Sequence, residues 1–197
     1  MYLHQISTQV IIGPSFQLSD FAGLIKKHSK DFPGVPKLEQ QAQNLIAANF
    51  EFPLIETYIR DVCRWGNFAG VGGRIIKNNS QEAIVETFAA AYAQLNADEP
   101  DPAAALARLN RIHGLGRTSF ASKHLRFMKP DICPVYDSIL TDKLPYAFDP
   151  AGYASFSTDC QDIAGKLNAA NIENPGRQTK RWLAADVEAA MFAHFYL

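Results

Sequence analysis

A chain of 197 residues with 47 % hydrophobic content can bury a core of its own, as one domain or two small lobes. Its formal net charge of −1 argues against a protein that coats nucleic acid broadly, while leaving room for a focused basic face. The three cysteines, Cys63, Cys133 and Cys160, are far apart, which argues against a disulfide framework or a zinc site and suits a reducing cytoplasm.

In chain order, residues 6–12 read as a short strand or extended arm, and Asp20 to about Lys30 as a short helix. The stretch DFPGVP (31–36) reads as a turn or linker, which sets an N-terminal arm and short helix (1–35) apart from a main domain (36–197). Leu38–Asn49 has helical character, with Leu45 and Ile46 on one side. Pro53–Trp65 places Leu54, Ile55, Tyr58, Ile59 and Val62 at helical spacing, with Pro53 suited to a first turn. Residues 66–80 read as a Gly-rich loop, because glycines stand at 66, 70, 72 and 73. It is no Walker loop, lacking Gly-Lys-Ser/Thr and a preceding strand.

Ser80 then caps a helix to about Leu95 whose apolar face carries Ile84, Phe88, Ala91 and Tyr92. NADEPDP (96–102) breaks the pattern, and Pro102–Ile112 forms a further helix. Beyond Gly114-Leu115-Gly116 a second helical run carries Lys123 and Arg126 and stops before Pro130. Residues 138–143 read as a short helix that Asp137 can cap, and two longer helices near 157–170 and 178–195 close the chain. Strand signals are sparse, so the expected class is all-α, as a two-lobed helical bundle. No apolar run approaches membrane-spanning length, and the opening MYLHQISTQVIIGPSF lacks the basic stretch and long apolar run of a secretory leader. The expected setting is therefore cytoplasmic, without a membrane.

The region 108–137 carries the chemistry. Glycines at 114 and 116 permit positive φ and close approach of the backbone to a ligand. A helix starting just after Gly116 directs its unpaired first-turn N–H groups and its dipole toward an anion. Thr118 and Ser119 are suitable caps or hydroxyl donors there. Arg108, Arg111, Arg117, Lys123, Arg126 and Lys129, with His113 and His124, are interrupted by no acid. The same Gly-Leu-Gly also reads as an ordinary helix connection.

The segment from about 105 to 140 resembles the helix-hairpin-helix superfamily of DNA glycosylases, the endonuclease III and 8-oxoguanine glycosylase group. Leu109, Ile112, Gly114, Leu115 and Gly116 match its hairpin, and Pro134, Val135 and Asp137 match its aspartate segment. The likeness is weaker over about 53–112 and topological after 150. It implies a monomer that works on double-stranded DNA, nucleoid-associated when bound, needs no cofactor, and excises a flipped damaged or modified base in base excision repair.

In that reading Asp137 is the catalytic carboxylate, steadying cationic charge on the sugar. His113, Gly114, Leu115, Gly116, Arg117, Thr118, Ser119 and Arg126 bind DNA. Trp65, Asn67 and Phe68 form a wedge or base pocket, and Trp182 stacks on a base. The bland alternatives are core packing for Trp65, Phe68 and Trp182.

Three departures stand out. Thr118 occupies the position where strand-cleaving members carry lysine, which points to a monofunctional, water-using enzyme. Phe120, followed by Ala121, stands where a small alanine is usual, so the second helix is open to a shifted register. Lys123 lies five residues past Thr118, roughly 140° around a standard helix, and becomes the nucleophile only if the register is shifted. Three cysteines cannot supply the four-cysteine iron–sulfur cluster of many members. Other readings are a non-catalytic helix-hairpin-helix DNA-binding module, in which Asp137 only caps, and a helical interaction protein.

Overall fold

The computed structural model describes residues 9–11, 15–116 and 118–197. Strand β1 (Gln9–Ile11) pairs antiparallel with β2 (Ser15–Gln17), Val10 opposite Phe16. The rest of the expected 6–12 arm lies outside the described residues. All other regular structure described is helical, so the class is all-α.

Helix α1 (Phe21–Asp31) buries Phe21, Ile25 and His28, a stripe spaced four and three apart. Helix α2 (Val35–Ala47) starts within the expected linker, with Pro36 in its first turn, and buries Leu38, Ala42 and Leu45. Helix α3 (Phe52–Trp65) buries Ile55, Tyr58, Ile59 and Val62, whereas Leu54 faces outward and is 39 % exposed.

The expected loop at 66–80 is largely a helix, α4 (Ala69–Asn78). Each glycine in a helix interior costs about 0.5–1 kcal/mol relative to alanine. Burial of Val71 and Ile75, one turn apart, offsets that cost. A Cβ on Gly72 would stand 3.2 Å from Arg60 Cα, so the missing side chain is what lets α4 lie close on α3.

Helix α5 (Gln81–Leu95) begins as expected, with Ser80 Oγ accepting the Ala83 N–H. Helix α6 (Pro102–Leu109) is capped by Asp101 and stops three residues earlier than its pattern predicts. Helix α7 (Thr118–Met128) runs through the middle of the protein, buried from Phe120 to Met128. The short α8 (Ser138–Thr141) follows Asp137. Helix α9 (Pro150–Ala169) starts seven residues early, because Asp149 accepts the Gly152 N–H and Pro150 fits the first turn. Helix α10 (Ala184–Tyr196) starts late, because residues 174–180 close a loop in which Asn174 N–H donates to the Lys180 carbonyl at 2.8 Å.

Helix α10 packs on α1 and α9, α6 on α5 and α9, and α2 on α7, around one continuous apolar core from Leu18 to Phe192. Among the described residues no helix is long and apolar enough to cross a membrane.

Candidate active site

Helix α7 is the axis of the site. Its first turns bring Ser119, Phe120 and Lys123 to one wall of a cavity of about 310 Å³. The opposite wall comes from α1 and α10, with His28, Phe32, Glu188, Phe192 and Tyr196; the α3–α4 connection and residues 135–139 complete it. Thr118 is buried and is not part of the lining.

Lys123 is held along its whole length. A Cβ on Gly66 would stand 3.1 Å from Lys123 Cδ, so the stem passes where only a glycine leaves room. Its ammonium lies 5.5 Å from the centre of the Phe120 ring. Nζ donates to Ser119 Oγ at 3.1 Å and to Asp137 Oδ2 at 3.2 Å. Both members of the Lys123–Asp137 pair are nearly buried, where an ion pair is screened less than at the surface.

Asp137 has two tasks at once. While Oδ2 meets Lys123, Oδ1 accepts the Leu140 N–H at 3.3 Å and caps α8. The extended backbone before it is fixed on both sides. Tyr136 N–H donates to Ser122 Oγ of α7 at 2.9 Å, and Val135 N–H donates to Glu188 Oε2 of α10 at 3.2 Å.

The register of α7 is that of a helix starting at Thr118, and five residues still make roughly 140° of rotation. The cavity, however, faces the side of α7 that carries Ser119 and Lys123. On this standard register Lys123, expected as a nucleophile only if the register were shifted, already meets Asp137.

The glycine turn lies beside this wall. Gly114 and Gly116 both have φ +86°, the conformation their residue type permits. Gly114 sits on α4, since a Cβ there would stand 3.1 Å from Arg74 Cβ. Asn79 holds the turn, donating to the His113 carbonyl at 2.9 Å and accepting the His113 N–H at 3.1 Å. His113 and Gly116 are exposed and Leu115 is buried beneath them. Arg117 lies outside the described residues.

Two expected site residues are elsewhere. Arg126 is 2 % exposed and gives Nη1 to Glu39 Oε1 at 2.9 Å, so it does not present its charge to DNA. Trp182 precedes α10, is 1 % exposed, meets Phe21 edge-on and donates Nε1–H to the Ile172 carbonyl at 2.8 Å. It is a core residue, not a base platform. The three residues expected as wedge or pocket are at the cavity. Trp65 is half-buried between Phe32 and Phe127. Asn67 is exposed with φ +63°, and Phe68 is 64 % exposed with its ring edge-on to Phe120.

Sequence reasoning missed the α1 and α10 wall. Glu188 is one of two acids, with Asp186, in the otherwise apolar run AADVEAAMFA, and unlike Asp186 it lies past the first turn, where a charge amid apolar residues is the signal that identifies it. Burial first, then the neighbouring Asp137 charge, pushes its carboxyl up to about 8. His28 shares the buried stripe of Phe21 and Ile25 and stacks on Phe32, ring centres 4.8 Å apart. Burial, with a smaller contribution from Arg126, lowers its imidazole to about 4, so it is neutral at physiological pH.

The arrangement therefore offers an amine, a carboxylate facing it, a second buried acid, and aromatic walls that suit a planar ring. No protein-family model, curated protein or solved structure matches the chain.

Proposed function

We infer that the chain is a DNA N-glycosylase that draws a damaged or modified base into the aromatic cavity and breaks its bond to the sugar at the Lys123–Asp137 pair. The observation that carries this reading is the 3.2 Å approach of Lys123 Nζ to Asp137 Oδ2 on the wall of that cavity, beside a turn with two positive-φ glycines. The turn and the first N–H groups of α7 suit phosphate, and the exposure of Phe68 supports a wedge that fills the stack a flipped base leaves.

Chemistry follows from the pair. As the glycosidic bond lengthens, positive charge grows on the sugar and the Asp137 carboxylate steadies it. Lys123, having passed a proton to water so that Asp137 stays ionised, attacks C1′ with its nitrogen lone pair. The new C–N bond forms as the bond to the base breaks, and the departing base keeps that electron pair and takes up the proton the nitrogen sheds; the C1′–O4′ bond then opens, O4′ takes a proton from water, and the resulting imine is the species that borohydride reduces. This reading gives the Lys123 amine the part that the water-using reading leaves to water; Thr118, where the resembled family's strand-cleaving members carry lysine, is buried and does not line the cavity.

The test is incubation with duplexes carrying different damaged bases, with borohydride present. The expected result is a covalent protein–DNA adduct, lost in Lys123→Gln and strongly reduced in Asp137→Asn. Base loss without an adduct would return the reaction to water and Asp137. DNA binding without base loss from any duplex would favour the binding module, in which Asp137 serves only as the cap it already provides for α8.

A further inference from the structure

Glu188 is the one acid in the cavity wall to which the proposed chemistry gives no part. It is 3 % exposed, lies on α10, and accepts the Val135 N–H two residues before Asp137. The Val135–Asp137 backbone is extended and held from two helices, so its placement depends on that acceptor as much as on Ser122. We propose that Glu188 is a positioning residue of this site: it fixes the segment that presents Asp137 to Lys123, and a negative charge on it disturbs that pair.

The second half follows from charge. One ammonium, Lys123, and two carboxyl groups, Asp137 and Glu188, share the largely buried inner wall of this cavity. With Glu188 un-ionised, Lys123 and Asp137 balance. An ionised Glu188 adds a second anion, which repels Asp137 and competes with it for the Lys123 ammonium.

The groups acting on Glu188 from each packed element favour the un-ionised form at neutral pH. Lys123 and Arg126 of α7 pull toward ionisation, but Arg126 is committed to Glu39. Asp137 opposes it. From α9, Tyr153 and Cys160 couple to Glu188 and are themselves held protonated by burial. His28 of α1 is neutral.

The inference rests on the glycosylase reading only for its activity arm, so the first measurement needs no substrate. The side-chain carboxyl carbon of Glu188 is followed by NMR through a pH titration of the free protein. The expected midpoint is near 8, falling by roughly one pH unit in Asp137→Asn as the like charge is removed. A midpoint in the ordinary glutamate range, or one that Asp137→Asn leaves in place, overturns the proposal.

The second measurement is the rate of adduct trapping from about pH 6 to about pH 9. Glu188→Gln keeps an acceptor for Val135 and cannot ionise, so its rate relative to wild type should climb severalfold with pH. Glu188→Leu leaves Val135 N–H without its acceptor and should trap slowly at every pH, a loss that Gln rescues. A Gln-to-wild-type ratio that stays flat with pH overturns the effect of ionisation, and a Leu variant that traps as fast as Gln overturns the positioning role. If neither protein traps any duplex, only the glycosylase reading falls, and the titration alone decides the coupling of Glu188 to the pair.

Discussion

At the scale of single residues, the site depends on who stands beside whom. Gly66 is the clearest case. Its missing Cβ leaves a channel for the Lys123 stem, with Cδ and Cε at 3.1 and 3.3 Å from where that Cβ would be. Gly66→Val should displace the amine from Asp137 and reduce adduct trapping by about tenfold or more, a misplacement effect. Equal trapping by Gly66→Val and wild type would show that the lysine reaches the sugar by another route.

Glu188 also leaves a mark on stability. Its folded value of about 8 lies above the ordinary 4.5, so the native state binds the extra proton. That contribution is complete below about pH 4.5 and is lost as pH rises through about 8, at up to about 1.4 kcal/mol per pH unit. Glu188→Gln has no such titration. Its stability relative to wild type should therefore rise between about pH 5 and pH 8 and then level off. Urea unfolding at several pH values measures this, and parallel curves for the two proteins would contradict it.

At the scale of elements, α4 and the glycine turn show how a helix and a ligand surface are built together. Gly73 faces open space in α4, whereas a Cβ on Gly72 would press on the Arg60 backbone at 3.2 Å. Gly73→Ala should stabilise by about 0.5–1 kcal/mol through helix propensity alone. Gly72→Ala should lose that gain or reverse it, because α4 must back away from α3. Thermal unfolding of the two variants separates the effects; equal stabilisation would mean that the contact is slack.

In the turn, Gly116 is exposed at φ +86°, and a Cβ there would meet Phe120 at 3.3 Å. Gly116→Asp adds backbone strain of about 1–2 kcal/mol and sets a negative charge where phosphate is proposed to lie. DNA affinity should fall and become less steeply dependent on salt. Unchanged binding across a salt titration would remove the turn from the DNA surface.

At the scale of the whole molecule, a chain of charges ties distant segments together. Arg126 of α7 and Arg177 of the α9–α10 connection both bond Glu39 of α2, and Arg177 also bonds Asp186 of α10. Burial works to raise the Glu39 carboxyl, but Arg126 and then Arg177 outweigh it and hold it below its usual value. Its stabilisation is therefore present above the unfolded value and is lost as acid drives pH down through the folded one. Glu39→Ala strands the buried Arg126 charge and should destabilise by about 3 kcal/mol or more. A loss well under that in denaturant unfolding would show that Arg177 and Asp186 re-form around the gap.

Much of this was legible locally. Ser80 and Asp101 stand before apolar spacings and cap their helices, Asp137 caps α8, and the two turn glycines take the positive φ that only their type adopts easily. Those outcomes depend on a few neighbours in the chain, so residue type and spacing determine them. What only the tertiary structure decided depends on partners far away in sequence. The glycine-rich α4 is a helix because α3 offers a surface to bury Val71 and Ile75. Arg126 reads as a basic-face residue until Glu39, 87 positions earlier, takes its charge inside. Lys123 is drawn into the site because Gly66, 57 residues before it (123 − 66), leaves its stem a path to Asp137. Glu188 and His28 join that site because α10 and α1, from opposite ends of the chain, pack on each other. Local spacing determines which face of a helix is apolar, but only packing decides which polar groups are shut away from water together, and a low-dielectric site is made by that enclosure.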